Sequence, residues 1–93
     1  MLQITQETSR DSVTLRLAGR IAGQWVDELW RTYHDRRQNS RVALTMDLRN
    51  VTFIDAAGID FFEDVADEVM LVNCSPFAAE QLKSVLARQE VVR

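Results

Sequence analysis

Between Val13 and Leu48 the spacing of the apolar residues changes twice, and this double change constrains the fold more than any other feature of the chain. Val13, Leu15 and Leu17 alternate with Thr14 and Arg16, the period of a strand with one buried face. From Gln24 to Gln38 the period lengthens: Val26, Leu29, Trp30 and Tyr33 recur at helical spacing, with Asp27, Glu28, Arg31 and Asp35 on the other side. The run Val42-Ala43-Leu44-Thr45-Met46-Asp47-Leu48 is then mostly apolar, as in a buried strand. Strand, helix and strand in this order predict a right-handed crossover between parallel strands. Upstream, Leu2 and Ile4 alternate with Gln3 and Thr5, so a first strand is expected to form a hairpin with the second. Gly19 and Gly23 read as loop glycines of the connection to the helix. Arg20 and the polar flanks exclude the membrane-packing meaning of their G-x-x-x-G spacing.

Val51-Thr52-Phe53-Ile54 carries the chain on to Asp55, where the period changes again. Ile59, Phe62, Ala66 and Val69 lie three or four apart and predict a second helix, while Val69-Met70-Leu71-Val72 predicts a last short strand. Ser75 is a good N-cap and Pro76 a good first-turn residue for a third helix built on Ala78, Leu82, Val85 and Leu86. The expectation is an α/β fold in the order β-β-α-β-α-β-α, with a mixed four-stranded sheet and about three helices. With 93 residues there is room for one domain, spanning 1–93, around one core.

Composition removes whole classes of function. Eleven basic residues against fourteen acidic ones give a net charge of −3, so no general footprint for nucleic acid is present. The first residues, Met1 to Gln6, have neither a basic nor an apolar leader region, and no apolar run is long enough for a membrane span. A cytoplasmic protein without direct membrane insertion is expected. The single cysteine, Cys74, cannot close an internal disulfide and reads as a small strand-end residue. The single histidine, His34, falls on the polar side of the first helix with no nucleophile at a useful spacing. Three glycines cannot write a phosphate-binding loop or a dinucleotide fingerprint. No catalysis, metal or cofactor is expected.

Two features rise above this background. Asp55 stands directly before Ala56-Ala57-Gly58 and the second helix, where its carboxylate can accept backbone N–H bonds and face the positive end of the helix dipole. A catalytic or metal-binding pair of Asp47 with Asp55 is the weaker reading. The second helix also carries Asp60, Glu63, Asp64 and Asp67 at i, i+3, i+4 and i+7, with Glu68 at the edge. The stripe is either a solvated face or a docking surface for a basic partner. Phe61 stands at the border of the apolar stripe, as core-edge packing or as part of that docking surface.

The segment from Val42 to Ile59, with Asp47-Leu48 followed by Val51-Thr52-Phe53-Ile54-Asp55-Ala56-Ala57-Gly58, resembles the STAS domains, the anti-sigma factor antagonist family. Leu17-Ala18-Gly19-Arg20-Ile21 resembles that family's passage from strand to helix, and the order of elements fits over nearly the whole chain. The resemblance implies a bacterial signalling module that regulates transcription by binding an anti-sigma factor or a kinase-like ATPase. Contact would run through Asp55, Ala56, Ala57 and Gly58, flanked by Asp60, Phe61, Asp64 and Asp67. Phosphorylatable members carry a serine or threonine where this chain has Ala56, so the family's phosphorylation switch has no hydroxyl here. The alternatives the family offers are an accessory subunit on the ATPase of a lipid-transport complex and a sensor of small molecules or nucleotides.

Overall fold

The computed structural model describes residues 1–39 and 43–91. In chain order the elements are β1 (Leu2–Thr8), β2 (Ser12–Ile21), α1 (Gln24–Asn39), β3 (Ala43–Ile54), α2 (Ala56–Val65), β4 (Val69–Val72), α3 (Pro76–Gln81) and α4 (Lys83–Val91). They form an α/β fold on a four-stranded sheet of order β1-β2-β3-β4. β1 and β2 are antiparallel, and β2, β3 and β4 run parallel, so the sheet is mixed as expected. α1 ends one residue past the expected Gln38, and Val42, the expected start of the next strand, lies outside the described residues.

Register explains which face is covered. Val13 pairs with Leu44 and Leu15 with Met46; across the next ladder Leu44 pairs with Val69 and Met46 with Leu71. All of these are buried, in one cluster with Val26, Leu29 and Tyr33 of α1, Phe61, Phe62 and Val65 of α2, and Ala78, Leu82 and Val85 of the C-terminal helices. The opposite phase reads Thr14, Arg16 and Ala18 on β2, Thr45 on β3 and Met70 on β4, all exposed or half-buried. Helices therefore cover one face of the sheet, and the other faces solvent.

Four expectations change. Gly19 lies inside β2, opposite Leu2 on one side and Val51 on the other, rather than in the connecting loop. The strand register shifts on both sides of it, between Arg16 and Ala18 and between Gly19 and Arg20. β3 absorbs these irregularities and runs unbroken from Ala43 to Ile54, so the apolar run ending at Leu48 and the segment Val51-Thr52-Phe53-Ile54 are one strand. The third helix is two, α3 and α4, meeting at Leu82; the bend keeps Ala78, Leu82 and Val85 all fully buried. The core side of α2 is Gly58, Phe61, Phe62 and Val65, with Ile59 only half-buried. Phe62 and Ala66 are buried as expected, the stripe widens to take in Gly58, Phe61 and Val65, and Val69 belongs to β4.

Gly58 sets how closely α2 sits on the sheet. A Cβ there would lie 2.8 Å from Ile54 Cγ2 and 3.0 Å from both Ile21 Cγ2 and Ile21 O. Two strand ends and a backbone carbonyl fill the space, so no flexible side-chain tip can yield. Gly58→Val is expected to cost about 3 kcal/mol through overpacking, read as a lower urea midpoint at an unchanged slope. An unchanged midpoint would mean that α2 can lift from the sheet without loss.

Candidate functional site

Because β2, β3 and β4 are parallel, their C-terminal ends share one edge of the domain, and α1, α2 and α3 start there. In α/β sheets this is the edge where binding sites form. Asp55, at the end of β3, organises it. One carboxylate oxygen accepts from the Gly23 N–H at 2.9 Å and the other from the Gly58 N–H at 2.8 Å. Its own N–H donates to Ile21 O at 3.0 Å. Gly23 takes a positive φ of 58°, which a residue without Cβ adopts freely. The Gly23 and Gly58 N–H bonds outweigh a small burial penalty and hold the Asp55 carboxyl below the ordinary aspartate range. Asp55 thus caps α2 and ties the β2–α1 loop to it.

Ala56 and Ala57 stand exposed immediately after this cap, while Gly58 is buried beneath them. Asp60 and Asp64 continue along the exposed side of α2 and make no hydrogen bond or ion pair among the described residues. The rest of the acidic stripe is engaged elsewhere. Asp67 lies past the end of α2 and pairs with Arg88 of α4 at 3.7 Å. Glu63 accepts from Ser84 Oγ at 3.4 Å, and its carbonyl accepts from Arg88 at 3.2 Å. Glu68 accepts from the Tyr33 hydroxyl and pairs with Arg37.

Phe61 does not belong to any docking surface. It is fully buried, with ring centroids 4.7 Å from Trp30, 5.1 Å from Phe62 and 6.0 Å from Tyr33. The exposed aromatic at this edge is instead Phe77, on the first turn of α3, stacked on Phe53 at 6.3 Å. The Arg20 guanidinium lies over the Phe53 ring, 4.4 Å from its centroid. Arg20 and Phe53 are register partners near the ends of β2 and β3, on the solvent side of the sheet. The register shifts on either side of Gly19 set this pairing, and simple alternation along the two strands does not show it.

The other candidate groups have structural employment. Asp47, buried on β3, accepts from the Arg49 N–H at 2.9 Å and from Asn73 Nδ2 at 3.0 Å. Burial alone would raise its carboxyl, but these two donors, helped by the charges of Arg49 and Arg16, hold it below the ordinary value. Asp47 and Asp55 share no partner in these bonds. Burial, then the Asp47 charge, pushes the Cys74 thiol up, away from a reactive thiolate. His34 is exposed and stacks on Trp30 at 5.3 Å. Among the described residues no cluster of His, Cys, Asp or Glu is arranged to hold a metal, and no helix is long and apolar enough to cross a membrane.

In comparisons with known proteins, no family model and no curated protein matches the chain.

Asp47 and Asp55 make acid stability a direct test of these bonds. Their folded values lie below the unfolded one, so their stabilisation is complete above the ordinary carboxylate range and is lost as pH falls through the folded values. Asp55→Asn removes the charge and one of the two acceptor oxygens, and should cost about 1–2 kcal/mol at neutral pH, the order of a charge-assisted hydrogen bond. The gap between this variant and the natural chain should then close in acid. A gap that persists in acid would show that the charge of Asp55 contributes nothing.

Proposed function

We propose that the chain is a STAS-type regulatory module of the bacterial cytoplasm that binds without catalysing, docking through the start and exposed side of α2 onto an anti-sigma factor or a related kinase-like ATPase. The likeness of the segment from Val42 to Ile59 to that family supports this reading, as does the element order. One observation carries the site: Ala56 and Ala57 are exposed on a helix start that Asp55 holds rigid through Gly23 and Gly58. A partner meets small side chains there, which allow close approach, and its ordering cost falls mostly on its own side.

The flanks of the surface give the partner its chemistry. Asp60 and Asp64 are free to meet basic side chains on the exposed side of α2. Phe77, Phe53 and Arg20 supply an aromatic and guanidinium margin of the kind enriched at interface hot spots. A phosphate seeking the N–H groups at the start of α2 would meet the Asp55 carboxylate already bound to them, which disfavours a nucleotide sensor at this place. Ala56 has no hydroxyl, so the module cannot be switched there by phosphorylation.

Affinity capture from the source cell's lysate, with mass spectrometry of the retained proteins, tests the reading. The natural chain should retain a kinase-like ATPase. Asp60→Arg with Asp64→Arg should lose it while melting at nearly the same temperature, because neither aspartate has a partner to give up. Ala56→Glu should lose it as well, since it places negative charge beside Asp55 while suiting the first turn of a helix. Identical retention by all three chains would remove the docking surface from α2, and a transporter ATPase in place of the expected partner would reassign the pathway.

A further inference from the structure

β3 is longer than the stretch of β2 it pairs with. From the pair Arg16 and Asp47 to the pair Ala18 and Asn50 the ladder advances two residues on β2 and three on β3. From Gly19 and Val51 to Arg20 and Phe53 it advances one residue on β2 and two on β3. Each step leaves one extra residue on β3, a bulge of the kind that re-aims side chains beside binding sites. The second bulge sets Phe53 opposite Arg20 and Ile54 opposite Ile21. Ile54 and Ile21 enter the core, while Phe53 is left half-buried and Arg20 exposed on the solvent side of the sheet.

Arg20 is held by its face and left open at its edge. Its guanidinium carbon lies 4.4 Å from the Phe53 ring centroid, and Phe53 stacks in turn on Phe77 with 21° between the two rings. The N–H groups lie in the guanidinium plane, and they meet no carboxylate among the described residues, whereas Arg16, Arg31, Arg36, Arg37, Lys83 and Arg88 each have an acidic partner. Arg10 and Arg49 have no ion pair among the described residues either. Neither of them lies over a ring there, however, and the charge of Arg49 acts on Asp47. A guanidinium already stacked and ordered keeps a rigid donor fork, so an acceptor that fits the fork adds little further ordering cost.

We infer that Arg20 recognises a carboxylate of the partner protein, an aspartate or glutamate whose two oxygens accept from its paired N–H groups, while Phe53 and Phe77 cover an apolar side chain next to that acid. The inference rests on the docking reading above and gives the partner its chemistry: an acid with an apolar neighbour at the strand ends, and basic groups along α2. Phe53 stands two residues before Asp55, and Phe77 is on the first turn of α3, so both belong to the edge from which α2 starts. A partner resting on Ala56 and Ala57 therefore has Arg20 on one flank and Asp60 and Asp64 on the other. Charge selects the acceptor. On a chain of net charge −3, with Asp55 and Asp60 beside this edge, a polyanion such as nucleic acid is repelled, whereas one carboxylate is matched by one guanidinium. Opposite charges on the two flanks also fix orientation, since a segment docked in reverse would set its acid against Asp60 and Asp64.

The probe is the protein that the natural chain retains from the lysate, purified and titrated by calorimetry, with circular dichroism melts to check folding. Arg20→Lys keeps the charge and loses the fork, and should bind about tenfold more weakly; Arg20→Glu should bind about a hundredfold more weakly, both with the natural melt. A second readout uses the amine that Arg20→Lys brings to this position. A carbodiimide, which condenses an amine with a carboxylate into an amide, should link it to an aspartate or glutamate of the partner, found by mass spectrometry of the digested complex. Asp60→Arg with Asp64→Arg tests the docking reading separately. Binding lost in that variant but undiminished in Arg20→Glu would overturn the role of Arg20 and leave the docking reading standing, as would an Arg20→Lys complex that forms without a link at this position. A natural chain that retains no protein, or retains nucleic acid in its place, would overturn both.

Discussion

One carboxylate joins two parts of the chain that are distant in sequence: the Gly23 N–H on the β2–α1 loop and the Gly58 N–H on the first turn of α2 both end on Asp55. The tie is charge-assisted, and it satisfies donors that a helix start and a tight loop would otherwise leave to water. Its geometry depends on both glycines for different reasons. Gly23 must hold a positive φ, and Gly58 must leave room for Ile21 and Ile54. With these contacts in place, the ends of β2 and β3 and the start of α2 move as one unit, and the exposed alanines stand on a fixed base.

The acidic side of the domain is organised by what each carboxylate can reach. Glu68 is drawn to α1 by Tyr33 and Arg37, while Glu63 and Asp67 are drawn to α4 by Ser84 and Arg88. Each exposed pair contributes at most about 1 kcal/mol, yet together they spread the charge at the end of α2 over two neighbouring helices. The aromatic cluster of Trp30, Tyr33, Phe61 and Phe62 supplies the apolar half of the same junction, in edge-to-face contacts. Tyr33 takes part in both halves, its ring against Phe61 and its hydroxyl on Glu68. Asp60 and Asp64 lie beyond the reach of these cations, and for that reason they remain available.

Where the hydrophobic period was long and regular, the sequence was legible. The alternation of β2, the helical spacing of α1 and the apolar run of β3 were enough to place the parallel crossover and the mixed sheet. The Asp55 cap could be read from one residue standing before a helix. Legibility failed where a tertiary contact chose between two local patterns of equal quality. On α2 the expected stripe holds at Phe62 and Ala66, but the fit of Gly58 against Ile21 and Ile54 turns the helix so that Phe61 is buried as well and Ile59 is left half-buried. Gly19 looked like a loop residue because strand interiors seldom hold glycine, whereas here it stands at a bulged stretch of β2 beside Met1. The Phe53, Phe77 and Arg20 stack joins residues of three elements, and no local pattern marks such a meeting.

The place of the proposed α2 surface follows from the topology. α2 starts from the end of β3, an inner strand between β2 and β4, so its first turn is backed by strand ends on both sides. Asp55 and Gly58 fix that turn against Ile21 of β2 and Ile54 of β3, which leaves the small side chains of Ala56 and Ala57 as what a partner would meet. Ala56 brings no hydroxyl there, so under the proposed reading occupancy would follow the concentrations of the chain and its partner.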